Sequence, residues 1–411
     1  MARELGKGIL PVSKNNDVVI VAAARTAIGT FGGTLKDVRA HTLAAHVMRE
    51  VLSRAKNLDG NLVSDIIVGD CLQAVDEANT ARTAALKAGI PVKVPAFTVQ
   101  RNCASSMQAL ISGTQQILCG DSDVVLVAGV ESMSSAPYYM DKARWGMRLM
   151  NQEVIDSVWE ALHSGSGALG QPMIMGLTAE NLVEMDKISR EDQDQVALES
   201  QHKAEEAIEE GRLKDEIVSI EVAGKKGEPL LFEQDEHPRF GIRMEDLTRL
   251  KPVFKEDGTV TAGNSSGIND GAAAVVLMTR RRAKDLGLTP MAQIVTHGVA
   301  GVEPSVMGIG PVPATEQALN RAGMSLKDID LIELNEAFAA QYLACERRLG
   351  LDRDITNVNG SGISLGHPVG CTGLRIVVTL IYEMIRRDIN VGLATLCVGG
   401  GMGMATIVAR E

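Results

Sequence analysis

Six short runs in this chain are apolar from end to end rather than at alternate positions. They are VVIVAAA (18–24), DIIVGDCL (65–72), DVVLVAGV (123–130), AQIVTHGV (292–299), DIDLIEL (328–334) and GLATLCVGG (392–400). A strand wetted on one face alternates apolar and polar residues, whereas a strand covered on both faces does not. Each run is bounded by Gly or Asp and is too short for a buried helix, so each is read as a two-sided strand. Helical spacing fills the gaps. Beyond Cys103, the residues Met107, Leu110, Ile111, Thr114, Ile117 and Leu118 recur on one helical face, and Gly120 stops the run. Buried strands alternating with helices predict an α/β protein with helices on both faces of its sheet.

The pattern runs twice. VVIVAAARTAIGTFGG near the start and QIVTHGVAGVEPSVMG from 293 are each a strand followed by a Gly-rich connection. VLVAGVESMS (125–134) and ATLCVGGGMG (394–403) are each a buried strand running into small residues. At 411 residues the chain holds two or three domain-sized units, and this doubling hints at duplication. Residues 136–254 break the rhythm with both tryptophans, the Met-rich PMIMG (172–176) and a charged helix, SREDQDQVALESQHKAEEAIEEG (189–211). Ser189 is placed to cap that helix, which reads as a solvated face, and the whole segment reads as an insertion projecting from the core.

Composition narrows the function. A net charge of −11 argues against nucleic acid, whose phosphates demand a basic footprint. The N-terminal MARELGKGILPVSKNND lacks a signal-like apolar stretch, and no run is long enough to span a membrane, so the cytoplasm is expected. The six cysteines, at 71, 103, 119, 345, 371 and 397, form no C-x-x-C pair and read as thiols. They and the seven histidines show no metal-ligand clustering, so no metal is expected. Two local motifs lack their context. GSGALG (165–170) resembles a dinucleotide loop, but a helical pattern precedes it and Pro172 follows. GISLG (362–366) resembles a hydrolase elbow, but the only histidine after Ser364 is His367, in the same turn.

One cysteine stands at a junction that chemistry uses. In VQRNCASSMQAL (99–110), Cys103 sits between a strand-like and a helix-like run, followed by small residues that let helix N–H groups face its sulfur. Those donors and the helix dipole would lower its pKa, yet a structural thiol remains an equal reading for such a residue alone. Three later stretches supply partners at strand ends beside glycines: LNEAFAA (334–340), with Asn335; NGSGISLGHPVGCTGLR (359–375), with His367; and CVGGGMG (397–403), with a second cysteine. Taken singly, His367 reads as a core histidine and Cys397 as a buried filler. Together they share the geometry of a site at the carboxyl edge of a sheet.

These stretches resemble the thiolases. NCASSMQA, AGNSSGINDGAAA (262–274), NEAFAAQ, GHPVGCTG and CVGGGMG occur in the family's order, with His367 32 residues after Asn335 and 30 before Cys397. The likeness runs from about residue 17 to the end and is nearest the bacterial biosynthetic acetyl-CoA acetyltransferases and short-chain β-ketothiolases. It implies duplicated βαβαβαββ halves in a layered α-β-α-β-α core. The N-terminal half would be 1–135 plus 255–285, the inserted loop domain, with CoA and oligomer contacts, 136–254, and the C-terminal half 286–411.

The resemblance also implies roles. Cys103 would be the acyl-accepting nucleophile, His367 its base and Cys397 the base that takes a proton from a second acetyl-CoA. Asn335 (through a held water) with His367 would stabilise the enolate, and the N–H groups of Cys103 and Gly399 the tetrahedral adduct. Ser266 and Arg239 would contact CoA, and Met175 and Phe338 would line the acyl pocket, with Met175 limiting chain length. CoA would be substrate and product with no further cofactor, and the assembly a homodimer or homotetramer. Three residues depart from the usual pattern: Ser106 for glycine, Ile174 for a histidine, and Cys371 for alanine. They bear on chain length and CoA affinity. The reaction implied is acetoacetyl-CoA formation from two acetyl-CoA, and its reverse. Alternatives are a degradative 3-ketoacyl-CoA thiolase of broader chain length, another condensing enzyme of this fold, or a silent acyl-CoA-binding scaffold.

Overall fold

The computed structural model describes residues 2–5, 8–11, 15–163, 167, 170, 172–224 and 228–410. GSGALG lies mostly outside the described residues. The elements that build the site are β1 (Val18–Thr26), α1 (Ala40–Arg54), β2 (Asp65–Gly69), β3 (Ala96–Val99), α2 (Ser105–Cys119) and β4 (Val124–Ser132). There follow α3 (Met175–Asp186), α4 (Arg190–Glu209), β5 (Asn269–Thr279), β6 (Ala292–Gly301) and α5 (Pro311–Ala322). The chain closes with β7 (Leu331–Leu334), α6 (Ala339–Leu349), α7 (Val369–Arg387), β8 (Val391–Val398) and β9 (Met402–Ala409).

One mixed sheet carries the order β7-β8-β9-β6-β1-β5-β4-β2-β3. The order contains a repeat. In the first half, β3-β2-β4 are parallel and β5-β1 return antiparallel. In the second, β7-β8 are parallel and β9-β6 return antiparallel, while a parallel bridge from Ile332 to Thr356 stands where the counterpart of β3 would be. Among the described residues the strands of the two halves pair at two positions, Ala292 with Ile20 and Gln293 with Val19. The expected duplication is thus present, joined edge to edge.

Burial explains the unbroken apolar runs. Along β4, Val124, Leu126, Ala128 and Val130 pack in a core with α1, whereas Val125 and Val127 face the opposite way, into a core shared with α2 and α7. A third core, under α5 and α6, covers the outer face of the second half. Layers of helix, sheet, helix, sheet and helix result, with α2 from the first half and α7 from the second in contact at the centre. Of the strands named above, β3 is the strand-like run before Cys103, whereas β5 and β9 escaped the sequence reading. β5 begins NDGAAA, and alanine carries no strand signal of its own.

The insertion does not only project. α4 is capped as expected, Ser189 Oγ accepting the Asp192 N–H at 3.0 Å. Its polar residues Gln193, Asp194, Ser200 and Gln201 are nevertheless buried, so this charged helix presents a face to the protein as well as to solvent. Further on, Ile217–Val218 pairs in parallel with the end of β1. There the fully buried Arg25 donates to Glu216 Oε1 at 2.6 Å and to Asp235 Oδ1 and Oδ2 at 2.7 and 2.9 Å. Two carboxylates from the insertion thereby neutralise a guanidinium of the core, and removing either would leave a buried charge uncompensated. Among the described residues no helix is long and apolar enough to cross a membrane.

Candidate active site

The carboxyl ends of the parallel strands and the loops beyond them converge on a cavity of about 510 Å³. Cys103, from the turn between β3 and α2, lines it together with His367, from the loop before α7, and with Cys397 and Gly399, from the end of β8. Arg239 and Ser266 line the same space, as do Met175 at the start of α3 and Phe338 before α6. Ile174, where relatives were expected to carry a histidine, is also in its wall. Asn335 is not. It lies fully buried at the end of β7, outside the cavity lining, and neither its side-chain oxygen nor its nitrogen has a partner among the described residues. Ser364 of GISLG is buried away from the cavity, its hydroxyl bonded to Ser200 Oγ at 2.8 Å.

The Cys103 turn is pressed onto the sheet. A Cβ on Gly69 would fall 2.2 Å from the Ser106 nitrogen, and one on Gly129 2.2 Å from the Ser106 Cβ, so α2 can start this close only above bare backbone. Ser106 itself reaches across to the other half: its hydroxyl donates to the Cys371 carbonyl at 2.9 Å and accepts the Leu374 N–H at 2.8 Å. The residue that departs from the family's glycine therefore ties the helix after Cys103 to the helix after His367. Cys371, the third departure, is buried in the central core.

The sulfur of Cys103 faces the backbone N–H groups of Gly399 and of Cys103 itself. The expected lowering of its pKa does not occur. Cys103 stands in the turn two residues before the first helical residue, Ser105, and burial pushes its thiol up to about 11. Desolvation outweighs the two donors. Burial likewise holds the Cys397 thiol well above its ordinary value, and a charge on Cys103 would raise it further, which places the two sulfurs within electrostatic reach of each other.

His367 is held neutral. Burial, with a lesser push from the Arg375 guanidinium, lowers it to about 3. Its backbone N–H donates to Asn269 Oδ1 at 2.9 Å, and its Nδ1 lies 2.6 Å from Thr372 Oγ1. The Thr372 hydroxyl spends its one proton on the Pro368 carbonyl at 2.9 Å. Nδ1 is therefore the donor to Thr372, and Nε2 keeps a free lone pair. A neutral thiol, a neutral imidazole with its basic nitrogen open and a second neutral thiol around one apolar cavity can take up and return protons without holding net charge at rest.

Several residues here were not singled out from the sequence. Thr372 and Asn269 lie inside motifs already quoted, and only the fold shows that they hold His367. His237 lines the cavity, its Nδ1 3.3 Å from the Asn269 amide nitrogen, and burial lowers it to about 4. Glu131 accepts the N–H groups of Leu72 at 3.1 Å and Gly370 at 2.8 Å, bridging loops of the two halves. Burial and the neighbouring Asp70 keep its carboxyl protonated far above the usual range. Cys71 lines the cavity and donates to the Asn102 carbonyl at 3.0 Å.

Comparison with known proteins places the chain in a family. The family model for the thiolase N-terminal domain matches residues 18–281, and that for the thiolase C-terminal domain matches residues 288–410. An acetyl-CoA acetyltransferase of Pseudomonas aeruginosa is 51% identical over 400 residues, covering 96% of this chain and 100% of that one. The β-ketothiolase BktB of Cupriavidus necator is 48% identical over 396 residues, covering 96% and 99%. Among solved structures, the Bacillus anthracis acetyl-CoA acetyltransferase superposes with a TM-score of 0.93 at 52% identity, covering 96% of this chain and 99% of that one. The chain belongs to the thiolase family.

Proposed function

We propose that this protein is an acyltransferase that condenses two acetyl-CoA into acetoacetyl-CoA and CoA, and catalyses the reverse thiolysis. The observation that carries the reading is one cavity lined by a thiol from the first half and an imidazole and a second thiol from the other.

Cys103 attacks the thioester carbonyl of acetyl-CoA while His367 Nε2 takes its proton. The adduct's oxyanion lies against the N–H groups of Cys103 and Gly399. When it collapses, the departing CoA thiolate takes a proton from Cys397, leaving an acetyl group on Cys103, an imidazolium at His367 and a thiolate at Cys397. That thiolate removes a methyl proton from a second acetyl-CoA. The enolate oxygen is held by the His367 Nε2–H and by Asn335, whose buried, unpartnered amide suits a bridging water. The enolate carbon attacks the acetyl carbonyl, the same pair of N–H groups holds the new oxyanion, and Cys103 leaves as a thiolate that recovers its proton from His367. Every group ends as it began. Because both thiols rest protonated, charge exists in the site only while substrate is present to share it.

Arg239 supplies positive charge for the phosphates of CoA in an acidic protein, and Ser266 a contact for its pantetheine arm. Met175 and Phe338 bound the acyl end. CoA is the only cofactor-like molecule the reaction needs, and it enters as substrate. Self-association is supported by the segment around 138–159, where Trp145, Leu149 and Met150 are 86%, 95% and 83% exposed. A dimer or tetramer would cover such a surface, and light scattering reports which. The inserted loop domain, 136–254, is the unit we assign to these contacts, and the cytoplasm the compartment where six free thiols persist.

The test is a spectrophotometric assay of acetoacetyl-CoA. CoA-dependent loss with two acetyl-CoA formed is expected; loss without CoA, or none, contradicts the reading. The flexible wall formed by Met175, Met133 and Met307 favours one extension, to longer 3-ketoacyl-CoA. The ratio of kcat/KM for a six-carbon and a four-carbon substrate decides it.

A further inference from the structure

An oxyanion hole works only if its donors are fixed before charge develops, yet one of the two here is Gly399, the first of three consecutive glycines. Gly400 and Gly401 hold φ of 88° and 84°, so the turn is built from the most mobile backbone a chain can offer. Something outside the turn must hold it. Asn102, immediately before the nucleophile, donates from its side-chain nitrogen to the Gly399 carbonyl at 2.7 Å. Its own backbone is pinned from two sides, its carbonyl accepting from Cys71 Sγ at 3.0 Å and Ser105 Oγ at 2.7 Å. Its φ is +44°, a left-handed conformation that asparagine, aspartate and glycine tolerate and other side chains resist.

We propose that Asn102 is a positioning residue: it clamps the Gly399 turn of the second half to the nucleophile turn of the first, and so aims the Gly399 N–H at the Cys103 sulfur and at the oxyanion formed there. This rests on the thiolase reading above. The left-handed backbone is part of the device, since it turns the short amide away from its own strand and across the cavity wall, which Asn102 helps to line.

Two variants keep the left-handed backbone and remove the donor. Asn102→Gly deletes the amide, and Asn102→Asp replaces its nitrogen with an oxygen that repels the Gly399 carbonyl. With acetoacetyl-CoA and CoA, both are expected to lower kcat about 10- to 100-fold with little change in KM, a fraction of the 10²–10³ that a deleted donor costs. The same N–H faces the resting sulfur, so the pH dependence of Cys103 alkylation by iodoacetamide should move to higher pH in both. Lost stability alone would not move it, and thermal unfolding of each variant identifies any that is misfolded, leaving the other to decide. Wild-type kcat and an unmoved alkylation profile in either folded variant overturn the proposal. Failure of the wild-type enzyme to acetylate Cys103 would instead overturn the thiolase reading beneath it.

Discussion

The two halves of this molecule share a strand order but divide the chemistry unequally. The loop after β3 carries Cys103, and the corresponding loop after Thr356 carries His367. The loop after β4 begins at Met133, where the loop after β8 begins at Gly399, with Cys397 one residue from the end of that strand. The loop after β2 holds Asp70 and Cys71, where that after β7 holds Asn335 and Glu336. One half supplies one thiol and cavity wall; the other supplies the imidazole, the second thiol and the buried amide. Duplication thus gave two sets of strand ends, and the proposed reaction, with an electrophile on one side and a carbanion on the other, would use the different groups they carry.

The sharpest way to break that division is to remove one sulfur at a time. Cys103→Ala should abolish acetylation and lower turnover in both directions by at least about 10⁴-fold, the scale on which losing a covalent nucleophile acts. Cys397→Ala should still acetylate Cys103, because the CoA thiolate can leave and take its proton from water, yet lower condensation by about 10²–10⁴, the contribution of a positioned general base. Equal loss of both steps in the two variants would mean that the halves do not divide the work. Asn335→Ala should cost about 10²–10³ in condensation with acetylation less affected.

Smaller effects test the seam. Ser106→Gly removes the hydroxyl between α2 and α7 and leaves the Leu374 N–H without it, so thermal unfolding should report a loss of about 1–3 kcal/mol. The pH dependence of stability has two opposed parts. His367, lowered to about 3, and His237, lowered to about 4, stay neutral in the fold. The unfolded chain then binds more protons below the ordinary histidine value of 6.5, and stability falls with falling pH. Glu77, raised to about 7, and Glu333, raised to about 8, keep protons that the unfolded chain releases above 4.5, so stability falls as pH rises through those values. The slopes oppose between 4.5 and 6.5 and act singly outside it. Unfolding midpoints across the range should show a plateau there with decline on both sides.

Much of this was legible in the sequence, for identifiable reasons. Unbroken apolar runs specify two-sided strands whatever their partners, and glycine-flanked strand ends mark where a substrate can approach. Cys103, His367 and Cys397 stand at such ends. Less legible was anything set by the meeting of distant segments. The thiol of Cys103 was expected to be acidified by its helix, and only the depth of the cavity shows desolvation overruling that. The charged helix α4 read as a solvated face because Asp194 and Ser200 look like surface residues until their partners, Asn264 and Glu336, are brought beside them. Thr372 sits in the same motif as His367, yet its part in fixing the imidazole tautomer depends on where its single proton goes.

The central claim is the division of labour between two thiols, and intact-mass measurement after mixing with acetyl-CoA tests it most directly. The wild-type protein and Cys397→Ala should each gain one acetyl group, and Cys103→Ala none. An acetyl group retained by Cys103→Ala, or absent from a folded Cys397→Ala, would contradict it.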